Sequence, residues 1–222
     1  MTPVIKVCCI AGVDEARLAI AAGAGALGLV SAMPSGPGVI DDATIAEVAA
    51  HVARHAPAVR SFLLTARTTA EAIAAQHAAA GTTTLQLVDQ VPHAELQRLR
   101  RLRPGVEIVQ VIHVTGEASV DEALAVAPFV DALLLDSGNP GLAVKELGGT
   151  GRVHDWRLSR RIRDAVHPLP LFLAGGLHPG NVADALASVR PHGLDLCSRL
   201  RREGRLDAGL LAQFMAAVRT MA

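Results

Sequence analysis

Short apolar runs alternate along the chain with longer segments in which apolar residues recur at helical spacing. Runs rich in Val, Ile and Leu predict strands near residues 4–8, 26–30, 59–65, 83–88, 106–113, 131–135, 169–173 and 193–197. The Ala-rich stretches between them predict helices near 13–22, 42–55, 68–80, 92–103, 117–127, 156–166, 179–188 and 207–221. Most of the strands are apolar on both faces, as a parallel sheet covered by helices requires. An open doubly wound sheet would look the same locally, so the count of eight strand–helix units decides for an α/β chain folded as a single (β/α)8 TIM barrel, one domain over 1–222.

Turn chemistry agrees with this frame. Asp41 and Asp42 stand before the second helix as cap and first-turn acid, and Thr68-Thr69-Ala70-Glu71 has capping-box spacing before the third. Gly23, Gly81 and Gly105 fall where helices end. The connection from Ser137 to Asp155 holds Gly138, Gly141, Gly148, Gly149 and Gly151, too many for a helix, and follows the sixth strand; a loop of that size there is a candidate lid.

Composition removes several function classes. Lys plus Arg equals Asp plus Glu at 21 each and aromatic residues are 2%, which argues against a nucleic-acid partner. No apolar run approaches the ~20 residues of a membrane span, and the amino terminus carries no export signal, so a soluble cytoplasmic protein is expected. Three cysteines, two of them adjacent, make no disulfide framework and no metal-type pair.

Chemistry is expected where strands end. Alternation along Val4-Ile5-Lys6-Val7-Cys8 puts Val4, Lys6 and Cys8 on one face; if it faces the barrel interior, Cys8 sits at the mouth with Lys6 one layer deeper, where a cation favours the thiolate. Cys9 is expected to point away and pack. Asp136 closes the run Ala132-Leu133-Leu134-Leu135 and faces inward, so a thiol and a carboxyl from different strands form an acid–base pair. Gly175-Gly176 after the seventh strand, and Ser198 with Arg199 after the eighth, occupy the usual phosphate position of such barrels. Arg201, Arg202 and Arg205 read as a solvated turn. A metal site gathering His113, His154 and His178 near Asp136 is a minor alternative, because no ligand spacing supports it.

Lys6-Val7-Cys8-Cys9-Ile10, Gly23-Ala24-Gly25-Ala26-Leu27-Gly28, Gln86-Leu87, Leu134-Leu135-Asp136-Ser137, Gly148-Gly149-Thr150-Gly151 with Asp155-Trp156, and Leu173-Ala174-Gly175-Gly176-Leu177 with Pro179 and Asn181 together resemble the phosphoribosylanthranilate isomerase family of tryptophan biosynthesis. The resemblance implies an Amadori rearrangement of an aminoaldose phosphate without a cofactor, in a monomer or homodimer. Asp136 would be the acid and Cys8 the base, with Lys6, Gly149, Gly175, Gly176, Ser198 and Arg199 around the substrate and its phosphate. The chain departs from the family pattern at four places. Gly36 stands in the Ser-Pro-Arg loop, Val88-Asp89 replaces His-Gly after the fourth strand, Arg199 replaces a glycine of the eighth loop, and Cys9 replaces the glycine after the first-strand cysteine. The alternative expectation is a paralogue acting on another sugar phosphate, or a silent phosphate-binding barrel.

Overall fold

The computed structural model describes residues 2–148 and 150–220. The expected Gly149 contact and the end of the last predicted helix, at 221, lie outside the described residues. Eight strand–helix units follow one another. The first four are β1 (Val4–Val7) with α1 (Val13–Ala22), β2 (Ala26–Val30) with α2 (Asp42–His55), β3 (Arg60–Thr65) with α3 (Ala70–Ala80), and β4 (Thr84–Leu87) with α4 (His93–Leu102). The next are β5 (Glu107–His113) with α5 (Ala118–Val126), β6 (Ala132–Asp136) with α6 (Trp156–Val166), and β7 (Leu171–Leu173) with α7 (Val182–Val189). The last unit, β8 (Gly193–Leu196) and α8 (Ala208–Arg219), carries a two-stranded hairpin in its connection, β9 (Arg201–Arg202) with β10 (Arg205–Leu206). The strand pattern did not predict this hairpin, whose two-residue strands are too short for a periodicity to register.

All eight main strands are parallel and the sheet closes, with β1 pairing to both β2 and β8. One apolar layer packs the outer faces of the strands against the helices, through residues such as Leu27, Leu63, Leu85, Ile112, Ile162 and Phe214. A second fills the ring, where Phe62 and Phe172 meet edge to face at 5.9 Å and Ala26, Val109, Ala132 and Leu134 interdigitate. Division of the core between two strand faces is why the strands read as continuous apolar runs. Among the described residues no helix is long and apolar enough to cross a membrane.

Two local readings differ from expectation. Asp41 does cap α2, accepting the Thr44 N–H at 2.7 Å. The capping box before α3 does not form: Thr69 makes no side-chain cap, and Glu95 from α4 accepts the Ala70 N–H at 2.6 Å instead. A carboxylate from a packed neighbour satisfies the orphan amide that the local motif would have served. β7 starts at Leu171 rather than 169, because Pro168 and Pro170 cannot donate to a ladder.

Candidate active site

The sheet's C-terminal rim opens into a cavity of about 710 Å³, its open mouth included, whose lining contains Cys8, Asp136, Gly175, Gly176, Ser198 and Arg199. The acid–base pair expected from two distant strands therefore shares one chamber. Cys8 follows the end of β1 and is 6% exposed, its amide donating to the Leu196 carbonyl at 2.7 Å. Gly28 of β2 leaves the sulfur its space, since a Cβ there would lie 2.7 Å from Cys8 Sγ and 3.0 Å from Lys6 Nζ. Gly28→Ala is expected to destabilise the fold by about 1–3 kcal/mol through overpacking and to lower turnover by displacing the thiol. Chemical denaturation beside steady-state kinetics checks both effects.

Asp136 ends β6. Its Oδ1 accepts the Ser137 N–H at 2.7 Å, so half of the carboxylate caps its own loop. Its Oδ2 faces Gly148, where any Cβ would approach to 2.6 Å. Burial pushes the Asp136 carboxyl above the usual range, against the opposing hydrogen bond from the Ser137 amide, and the nearby charge of Asp195 adds to the rise. A buried carboxyl biased toward its protonated form suits a proton donor.

Lys6 is fully buried and does not reach the cavity lining, so the expected contact with substrate is corrected. It sits directly opposite Asp195 in the β1–β8 register, and Nζ meets Oδ1 at 2.8 Å. Burial alone would favour the neutral amine, but Asp195 outweighs it and holds the ammonium, with help from Cys8. Asp195 also lines the cavity, so its carboxylate forms the floor with Lys6 behind it. The alternation of Lys6 and Cys8 is legible in the sequence, whereas the partner leaves only a lone acid inside the apolar run Gly193-Leu194-Asp195-Leu196 as its signal.

The Ser137–Asp155 connection folds over the mouth and contributes Leu147, Gly148, Thr150 and Gly151 to the lining. It is fastened by the Ser137 and Thr150 hydroxyls at 2.6 Å, by an isolated bridge between Asn139 and Glu146, and by Lys145 with Asp89 of the β4–α4 connection at 2.5 Å. Gly175 and Gly176 have φ of 86° and 62°, and both lie under this connection: a Cβ would meet the Arg152 carbonyl oxygen at 2.9 Å from the first and Val153 Cγ2 at 2.8 Å from the second. The glycine pair thus lets the lid approach as well as leaving backbone amides bare.

Two sequence expectations fail at the β1 and β8 ends. Cys9 does not turn away: its φ of +63° breaks the alternation and brings it back to the cavity, against Cys197. Arg201 is not a solvated turn residue. It pairs with Glu15 at 3.1 Å and donates to the Cys8 carbonyl at 3.2 Å and to that of Cys9, tying the β8 connection to the end of β1. Arg202 and Arg205 are exposed as expected.

The three histidines do not gather. His113 Nε2 lies 3.0 Å from the Val88 carbonyl oxygen, His154 Nε2 lies 2.8 Å from Ser159 Oγ, and His178 Nδ1 accepts the Gly180 N–H at 3.1 Å. Burial pushes His154 down to about 4, so it is neutral at pH 7. Among the described residues no three His, Cys, Asp or Glu side chains are grouped to hold a metal ion.

Comparison with known proteins gives one consistent answer. The family model described as N-(5'-phosphoribosyl)anthranilate (PRA) isomerase matches residues 30–217. A relative named N-(5'-phosphoribosyl)anthranilate isomerase 2, from Methanosarcina mazei, is 35% identical over 198 residues, covering 89% of this chain and 85% of its own. Phosphoribosyl anthranilate isomerase from Thermococcus kodakaraensis superposes with a TM-score of 0.78 at 28% identity, over 98% of this chain and 99% of that one. A further structure, at 22% identity with a TM-score of 0.80 over 99% and 100% of the chains, is phosphoribosyl anthranilate isomerase in complex with reduced 1-(o-carboxyphenylamino)-1-deoxyribulose 5-phosphate. With the matching model spanning most of its length and its barrel carrying a thiol and a carboxyl on one cavity, the chain belongs to the N-(5'-phosphoribosyl)anthranilate isomerase family.

Proposed function

We propose that this single barrel domain is the isomerase of tryptophan biosynthesis that converts N-(5'-phosphoribosyl)anthranilate into 1-(o-carboxyphenylamino)-1-deoxyribulose 5-phosphate, with Asp136 as acid and Cys8 as base. The observation that carries the reading is the buried thiol of the first strand and buried carboxyl of the sixth opening on the same cavity. Asp136 gives its proton to the furanose ring oxygen as the C1–O bond breaks, and the nitrogen lone pair forms the Schiff base. The Cys8 thiolate removes the C2 proton, and those bonding electrons flow through C1 to nitrogen. The resulting enolamine then takes a proton at C1 as the C2 hydroxyl gives up its own, and becomes the ketose. Each proton transfer of this kind is worth about 10²–10⁴-fold in rate.

The substrate brings two anionic groups, a phosphate and an aryl carboxylate. Arg199 lines the cavity, is exposed, and has no carboxylate partner among the described residues, so its guanidinium is free for an anion. Ser198 lies beside it, and the amides of Gly175 and Gly176 face the same space; together they make the phosphate end. Lys6 is reserved for Asp195 and acts as a positioning group.

The test is turnover. Purified protein incubated with N-(5'-phosphoribosyl)anthranilate and quenched with borohydride is expected to yield reduced 1-(o-carboxyphenylamino)-1-deoxyribulose 5-phosphate by chromatography, and the gene is expected to restore growth without tryptophan to a strain lacking the isomerase. Absence of both product and growth overturns the proposal.

A further inference from the structure

Three thiols line the cavity, and the acid–base reading uses only Cys8. The other two are paired. Cys9 Sγ and Cys197 Sγ lie 2.6 Å apart, from residues 188 positions distant that meet where the barrel closes between β1 and β8. Both thiols are free. Such a separation is well inside ordinary sulfur contact and within a small movement of the about 2.05 Å of a covalent S–S bond.

The surroundings of Cys9 are shaped for its side chain. Its φ of +63° is a conformation that disfavours residues with a Cβ, yet a thiol stands there. Opposite it, Gly38 has φ +76° and no room for a side chain, because a Cβ would come within 2.4 Å of Cys9 Cβ and 3.0 Å of its sulfur. The Pro37 carbonyl oxygen lies 3.6 Å from Cys9 Sγ. Cys197 is the more exposed of the two and opens onto the cavity. Its thiol is held below the usual range by the contact with Cys9 and by the charge of Arg201, while the same contact holds Cys9 up. One member is therefore biased to the nucleophilic thiolate and the other keeps the proton.

We propose that Cys9 and Cys197 form a peroxide-reactive dithiol at the rim of the catalytic cavity, a modification site that closes reversibly into a disulfide and leaves Cys8 as the free thiol. The Cys197 thiolate attacks one peroxide oxygen; the O–O bond breaks, Cys197 becomes a sulfenic acid, and the departing hydroxide is protonated to water. Cys9 sulfur then attacks the sulfenic sulfur; the S–O bond breaks and the hydroxide leaves as water with the Cys9 proton. In balance, two thiols and one hydrogen peroxide give one disulfide and two waters, with the sulfurs oxidised and the peroxide reduced. Proximity makes this closure faster than a second oxidation of Cys197, and the bond staples the first βα unit to the last.

Mass spectrometry of the wild-type protein decides the matter, whether or not the isomerase reading holds. Treatment with stoichiometric hydrogen peroxide is expected to remove the mass of two hydrogens, to leave one alkylatable thiol that peptide mapping assigns to Cys8, to raise the melting temperature, and to reverse fully with dithiothreitol. Cys197→Ser and Cys9→Gly, the latter suited to the positive φ, are each expected to abolish the mass loss and the rise in melting temperature. A map that joins Cys8 to either partner, oxygen adducts in place of the disulfide, or an unchanged loss of two hydrogens in Cys197→Ser would overturn the proposal.

Discussion

Asp136→Asn and Cys8→Ala are each expected to lower kcat by about 10²–10⁴-fold while the circular dichroism spectrum and melting curve stay close to those of the parent. Asparagine preserves the shape and the acceptor that receives the Ser137 N–H, so the loop cap survives while the transferable proton is lost. Alanine empties the space that Gly28 leaves for sulfur, a small cavity at an already open site. The two variants should differ in pH response. In the parent, turnover that needs protonated Asp136 falls as pH rises through its raised pKa. This limb should be missing from the residual activity of Asp136→Asn and retained in Cys8→Ala. Near-parental kcat in either variant would remove that residue from the mechanism.

Asp195→Asn is expected to cost about 3–5 kcal/mol of folding stability, a large share of the about 5–15 kcal/mol that holds a typical domain together. The cause is Lys6. Its ammonium is fully buried, 2.8 Å from Asp195 and 5.3 Å from the centre of the Phe62 ring, and the carboxylate is what keeps it charged. Without that partner the amine must shed its proton to stay inside, so its folded pKa falls below the unfolded value. The variant should therefore gain stability as pH rises from 7 toward 10.5. The parent has no slope from Lys6 in that window, because a folded pKa raised above 10.5 gives stability that is complete below 10.5 and lost only as pH climbs from there through the folded pKa. Urea titrations of both proteins at pH 7 and pH 9.5 check this: the variant should gain stability between them, and the Lys6 contribution in the parent should stay constant. Lys6→Met combined with Asp195→Leu removes both charges and should recover most of the loss. If Asp195→Asn is as stable as the parent at pH 7, the ion pair does not support the floor.

How much of this was legible in the sequence depends on the distance over which each signal acts. The barrel was readable because each strand carries its own apolar run, and Cys8 and Asp136 were readable because each terminates one. Position along a strand is local information. Asp195 left a trace, an acid within an apolar run, that becomes informative once it is set against the lone Lys6 of another such run. Arg201 left none: within Arg199-Leu200-Arg201-Arg202-Glu203 it looks like its exposed neighbours, and only the hairpin β9–β10 and the remote Glu15 draw it inward. Cys9 departs from expectation for a different reason. Alternation holds only while the backbone stays extended, and a single left-handed residue reverses the face on which its side chain emerges.

The clasp formed by Arg201 on Glu15 and on the carbonyls of Cys8 and Cys9 joins positions 186 to 193 residues apart. During synthesis Cys8 is therefore made long before Asp195 and Arg201, which brace the end of its strand. A nascent or prematurely terminated chain can hold Cys8, Asp136 and both glycines of the seventh loop and still lack the floor carboxylate and the clasp. The end of the first strand is therefore fixed in place only after Arg201 has been made.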